Sequence, residues 1–215
     1  MKAKITATLL LVLFIDSSYV NATDYDVIVG PGESIESLIL DDEKALIDGG
    51  SVLGITATNQ SVVDVLNTSN YPGYSVGIYI AGIDGSIMNF YNGDIEKINT
   101  GNGARLNMSG GTVYWNIDME GSLVQVHLSG GEVPYTSLVG SYCDLHFWGY
   151  GFTSDPISEN NAFFDITGFW ADGTPFSTQA YNYNPDVNQI IFHEIPEPTT
   201  LMLLATSGLF LRKRK

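Results

Sequence analysis

The chain has 215 residues, with 24 acidic against 9 basic side chains and a net charge of −15. Such an acid excess offers no electrostatic route to nucleic acid or to an anionic lipid surface. A single cysteine, Cys143, rules out an internal disulfide, so packing and hydrogen bonding must hold the fold.

At the N-terminus, Lys2 and Lys4 precede the apolar run from Ile5 to Ile15, and Val20-Asn21-Ala22 is a small-residue cleavage site of the A-x-A type. This is the pattern of a secretory signal over 1–22, cut between Ala22 and Thr23. Of the cations, two lie in this signal and four in the last residues of the chain, leaving Lys44, Lys97 and Arg105. Only Asp16 is lost from the acids, so the mature chain carries about −20. Residues 23–195 are enough for one domain with a sizeable core. Over Glu33–Ile47 the pattern is open. Ile35, Leu38, Ile39, Leu46 and Ile47 fit a helix face, while Leu38-Ile39-Leu40 fits a strand; either would cap an exposed sheet end.

The middle of the chain repeats. Gly85, Gly103, Gly121 and Gly140 are 18, 18 and 19 residues apart, interleaved with Asn92-Gly93-Asp94, Ser109-Gly110-Gly111 and Ser129-Gly130-Gly131. Three and five residues after each lead glycine stand Met88 and Phe90, Leu106 and Met108, Val124 and Val126, Cys143 and Leu145, all apolar. Between them lie Asn89, Asn107, Gln125 and Asp144, all polar. Alternation with period two indicates strands, and repetition at a fixed interval stacks each strand on its equivalent in the next coil. Ile95, Val113 and Val133 open a second strand two residues after Gly93, Gly111 and Gly131. The chain is therefore expected to be all-β, a parallel β-solenoid with ~18–20 residues per coil. The repeats are placed at about 47–152, with 71–82 interrupting the period as a loop or irregular coil. The alternative is a β-sandwich or jelly roll in which the Asn and Gly pairs make hairpin turns; one fixed spacing over four units favours the solenoid. A C-terminal β cap follows over 153–195. In it, apolar runs around Phe163–Ala171 lead into an Asp172-Gly173 hairpin, and Ile190-Ile191-Phe192 forms the last strand.

No Gly-x-Ser-x-Gly, Walker loop, His-Glu-x-x-His, Cys-x-x-Cys or EF-hand loop occurs, and no enzyme activity and no cofactor are expected. Asp118 and Glu120 form a carboxylate pair near one corner, the feature a polysaccharide-active enzyme would need. Such enzymes on this kind of fold carry long loops and lining cations, for which this chain has little room. The outward rows also lack the regular Thr/Ser face of an ice-binding surface. Cys143 is expected inward, in one ladder with Leu106 and Val124. Six residues after the lead glycines come Tyr91, Ser109, His127 and His146, which places the two histidines about 5 Å apart on an outward face. With Asp144 two residues before His146, the set His127, Asp144 and His146 is the candidate surface ligand site, for a divalent metal or a carbohydrate. The competing reading is a pair of solvated neighbours, since no third strong ligand is evident.

The chain ends on Pro196-Glu197-Pro198, an apolar run over 199–211, and Arg212-Lys213-Arg214-Lys215. Thirteen helical residues reach about 20 Å, short of the ~30 Å hydrocarbon core. The prolines block extension upstream, and the cations stay on the cytoplasmic side. Membrane insertion would be transient. This tail resembles the PEP-CTERM sorting signal of Gram-negative bacterial surface and secreted proteins. The string from Ile166 to Pro175 resembles a segment common upstream of such tails, and the repeat body resembles the short right-handed β-helix modules of these proteins. The resemblance implies a substrate of the export machinery and of an exosortase-like sorting protease acting near 196–198. It implies an exported, structural or adhesive protein of the cell surface or extracellular matrix, with exopolysaccharide as a partner. A carbohydrate- or cation-binding module is the alternative.

Overall fold

A computed structural model describes residues 24–68, 78–82, 84–157 and 162–197. In chain order the strands are β1 (Val27–Val29), β2 (Ser34–Asp41), β3 (Lys44–Asp48), β4 (Ser51–Thr58) and β5 (Val62–Asn67). Next come β6 (Ile78–Gly82), β7 (Ile87–Phe90), β8 (Asp94–Thr100), β9 (Arg105–Met119) and β10 (Gln125–Glu132). The last are β11 (Tyr135–Leu138), β12 (Asp144–Pro156), β13 (Phe163–Trp170), β14 (Pro175–Asn182) and β15 (Gln189–Glu194).

Two parallel ladders run through these strands. One stacks β1, β3, β5, β7, the start of β9, β10, the start of β12 and β15. The other stacks β2, β4, β6, β8, the end of β9, β11 and β14. Each coil contributes one strand to each ladder, so the fold is a parallel β-solenoid. A sandwich of hairpins would require antiparallel neighbours throughout.

The period-two pattern explains the core. Ala45, Val63, Met88, Leu106, Val126 and Leu145 are partners in register, and all are buried. Two residues on, Ile47, Val65, Phe90, Met108, Leu128 and Phe147 form a second buried row. Facing them from the other ladder are Leu38, Ile55, Ile98, Ile117 and Ala180. Stacked identical environments let each apolar side chain lie on its equivalent, which removes area from water without a disulfide.

Three features differ from the sequence expectation. The coils begin at Val27 rather than near Ile47, and Glu33–Ile47 is strand throughout its apolar parts, contributing β2 and β3. The interruption after β5 is confined: β6 is an ordinary rung, with Ile80 between Ile55 and Ile98. Residues 69–77 and 83 lie outside the described set.

The third difference is a register offset of two residues. Leu106 faces Val126, not Val124, and Cys143 stands in a corner row with Ala104 and Val124 instead of with Leu106. The cause lies in the glycines. Gly103 has a left-handed φ of 66°, and its backbone equivalents in the next coils are Leu123 (φ 60°) and Tyr142 (φ 58°). Gly121 and Gly140 serve another purpose. A Cβ on Gly140 would overlap the carbonyl oxygen of Gly121 and stand 2.7 Å from its carbon. They are glycine for close approach, not for backbone conformation.

The C-terminal end closes as expected. Past its first rung, β12 runs on and pairs antiparallel with β13. A tight Asp-Gly turn, with Gly173 N–H donating to Trp170 O at 3.0 Å, leads into β14, which returns beside β11. Phe147, Trp170, Phe176 and Phe192 stack over the last coil, Trp170 and Phe176 at 3.9 Å between centroids. The aromatic cluster covers a sheet end that would otherwise be open to another chain.

Candidate functional site

The outward face of the first ladder carries two parallel rows. Between the buried rows lie Asp64, Asn89, Asn107, His127 and His146, one per rung. Asn107 Nδ2 donates to Asn89 Oδ1 at 2.7 Å, Asn89 Nδ2 donates to Asp64 Oδ1 at 2.6 Å, and Tyr25 O–H also donates to Asp64. An amide ladder of this kind satisfies each side chain through its equivalent in the next coil.

The ladder continues into the histidines. His127 and His146 stack with centroids 4.3 Å apart and planes 5° from parallel, as their spacing in the sequence predicted. A third histidine joins them: His146 Nδ1 and His193 Nε2 share a hydrogen bond of 2.9 Å, and the rings stack at 5.2 Å. His193 was not found from sequence, because it sits on β15 and reaches the site only after the chain has passed through the β13–β14 hairpin. Asp144 lies two residues before His146, in register with Gln125 and Gln189. Gln125 Oε1 accepts from Arg105 Nη2 at 2.7 Å.

Burial and cationic neighbours favour the neutral form of His127 and His146. Burial, then the neighbouring His146, Arg105 and His193, push His127 down to about 4. Burial and His193 lower His146, with Asp144 pulling the other way. Stacked rings hold their nitrogens in parallel planes, so the lone pairs of His127 and His146 do not converge on one point. Among the described residues, no group of three or more His, Cys, Asp or Glu is arranged to hold a metal ion. The metal reading of His127, Asp144 and His146 therefore has no geometric support.

Beside the row of asparagines and histidines, one residue past the inner buried row in each rung, stand Tyr91, Ser109, Ser129 and Trp148, with a β-bulge at 129–130 that pairs Ser109 with Gly130. The sequence had placed His127 and His146 in the row of Tyr91 and Ser109. The two-residue register offset moves them beside the asparagines and installs Ser129 and Trp148 instead. Two small residues between two large rings leave a trough of about 260 Å³, edged by Asn89, Asn107 and His127. Trp148 stacks on His193 at 3.8 Å with planes 7° apart, which covers one indole face. On its other side Trp148 lines the trough together with Ser129 and His127. Tyr91 and Trp148 are 47% and 39% exposed.

Comparison of the chain with protein-family models, with curated proteins and with solved structures finds no match in any of the three. No family is assigned.

The remaining candidates are occupied otherwise. Asp118 is engaged by Lys97 Nζ at 2.7 Å, by Asn116 Nδ2 at 2.7 Å and by the Ser137 hydroxyl, while Glu120 is exposed past the strand end. Cys143 is fully buried, its thiol within 3.3 Å of Gly121 O, and burial raises its pKa. It fills space as a small apolar group. A larger groove of about 910 Å³ runs along the Gly110–Gly111 and Gly130–Gly131 corners against the β13–β14 hairpin. Its floor is core, and Trp170 is spent there, 4% exposed and donating Nε1–H to Gly131 O at 3.1 Å. Of the sorting residues, Pro196 and Glu197 are described and exposed; Pro198 and Arg212, Lys213, Arg214 and Lys215 lie outside the described residues, as do Ala22 and Thr23.

Proposed function

We propose that this protein is exported cargo: a structural or adhesive β-solenoid of the cell surface or extracellular matrix, delivered by an N-terminal signal and a C-terminal PEP-CTERM tail. The observation that supports this reading is where the last described rung ends. The last rung ends at Glu194, Ile195 N–H donates to Gly149 O at 2.8 Å, and the next two residues, Pro196 and Glu197, are exposed. The sorting motif thus begins directly after the last rung. A protease acting there would leave every rung intact. The apolar run over 199–211 then serves as a brief membrane halt, and an exosortase-like enzyme is the processing partner.

Intact-mass measurement of the protein recovered from its native host tests this. A mass lacking both 1–22 and the tail beyond the motif is expected. A mass that retains Leu201–Lys215 refutes transient anchoring and leaves a permanently anchored protein.

A second reading, a carbohydrate-binding module, is favoured by the trough between Tyr91 and Trp148 and by the neutral groups that edge it.

A further inference from the structure

The trough on the outward face has three properties that together define a ligand. The first is its frame. Tyr91 and Trp148 stand three rungs apart, about 14 Å at the ordinary strand spacing, with Ser109 and the bulge at Ser129-Gly130 between them. His193 stacks on the indole of Trp148 at 3.8 Å, which fixes the ring where it lines the trough. A half-exposed aromatic face held in a fixed position is a ready surface for stacking.

The second property is chemical. Every residue lining the trough is uncharged: Asn89, Tyr91, Asn107, Met108, Ser109, His127, Ser129 and Trp148. His127 belongs in that set because burial and its neighbours keep it neutral down to about pH 4. Asp64 lies one rung beyond Asn89 on the same face and accepts from its Nδ2 at 2.6 Å, while Arg105 and Asp144 stand one row away, with Arg105 held by Gln125. In a chain with 24 acids and 9 bases, an uncharged lining is a local exception. It disfavours an ionic ligand, and the surrounding negative field repels polyanions.

The third is directionality along one edge. The amide ladder donates from Asn107 to Asn89 to Asp64, which leaves Asn107 Oδ1 as its terminal acceptor at the trough. Fixed amide groups beside aromatic faces suit a ligand with flat apolar surfaces rimmed by hydroxyls.

We propose that the trough between Tyr91 and Trp148 binds uncharged polysaccharide, with sugar rings stacking on Trp148 and against Tyr91 while Asn89 and Asn107 hydrogen-bond the hydroxyls. The regular rungs let a polymer lie along the coil axis and engage both rings at once. This deepens the adhesive reading above, yet it does not depend on how the tail is processed.

Affinity electrophoresis of the full chain through gels containing dextran, laminarin or xylan, with alginate as the polyanionic comparison, tests it. Retardation by at least one of the three uncharged polymers is expected, with none by alginate. Ser129→Tyr places a ring in the trough beside Trp148 without removing any core packing, and Trp148→Ala removes the platform. Each is expected to weaken retardation at least tenfold, Ser129→Tyr with an unchanged far-ultraviolet circular dichroism spectrum. The proposal is overturned if no uncharged polymer retards the protein, if alginate retards it as strongly, or if folded Ser129→Tyr is retarded like the parent. Because the intact-mass result concerns delivery alone, failure of either claim leaves the other standing.

Discussion

Gly140→Ala isolates what holds successive coils at their spacing. Gly140 has no left-handed φ, so alanine suits its backbone; the whole cost comes from contact. Its new Cβ would overlap Gly121 O and stand 2.7 Å from Gly121 C and 3.0 Å from Glu120 O, all backbone atoms of the preceding coil. Restoring ordinary contact means separating the two coils there by roughly 1 Å or more. The separation acts on Gly140 N–H to Met119 O at 2.8 Å, Val139 N–H to Met119 O at 3.0 Å and Leu123 N–H to Ser141 O at 3.0 Å. Losing two of these at about 1 kcal/mol each, on top of about 1–3 kcal/mol for overpacking, gives about 3–5 kcal/mol. For a domain of this size that lowers Tm by about 6–20 °C. Gly54→Ala is the internal comparison: its nearest foreign atom is Glu36 O at 3.8 Å and its φ is not positive, so a change within ~0.5 kcal/mol is expected. Urea unfolding followed by circular dichroism at constant m-value measures both. Equal midpoints for the two variants would mean that the coils are not stacked at the 121/140 corner as described.

His127→Asn should extend the Asn89–Asn107 ladder by one rung and remove a pH dependence. The native pKa of about 4 lies below the unfolded value near 6.5, so between those values only the unfolded chain binds the proton and stability falls as pH falls. For a group this exposed to solvent the loss is about 1 kcal/mol, and it should shrink in the variant when urea midpoints at pH 7 and pH 4.5 are compared. A pH dependence unchanged in His127→Asn refutes the assignment. Cys143, fully buried with its pKa raised by desolvation, should react with a thiol reagent only in denaturant. Rapid labelling of the native protein would contradict its place in the corner row.

The repeat was legible because a solenoid writes its geometry locally. Met88, Phe90, Leu106, Met108, Val126 and Leu145 alternate with polar residues within one strand, and the alternation survives any error in matching one coil to the next. Matching coils is where local signals fail. Glycines at 103, 121 and 140 look alike in a sequence, but Gly103 is there for its backbone angle and the other two for the space they leave empty. Aligning them displaced one rung by two residues, an even number, so every side chain stayed on its correct face. The first coils were missed although Gly32 and Gly49, both with left-handed φ, flank β2 and β3, and His193 was hidden because its partner His146 lies 47 residues earlier.

That displacement decides what the outward face can do. With the glycines aligned, one row would hold Tyr91, Ser109, His127 and His146, a mixed set that invites a metal. In the structure the histidines join the asparagines, stacked ring on ring and kept neutral. Beside them Tyr91, Ser109, the bulged Ser129 and Trp148 line one trough. An aromatic ring then stands beside two serines where imidazoles had been expected, and the chemistry on offer changes from coordination to stacking. In a stacked fold each row is assembled from residues about 20 positions apart, so a ligand is specified by register as much as by composition.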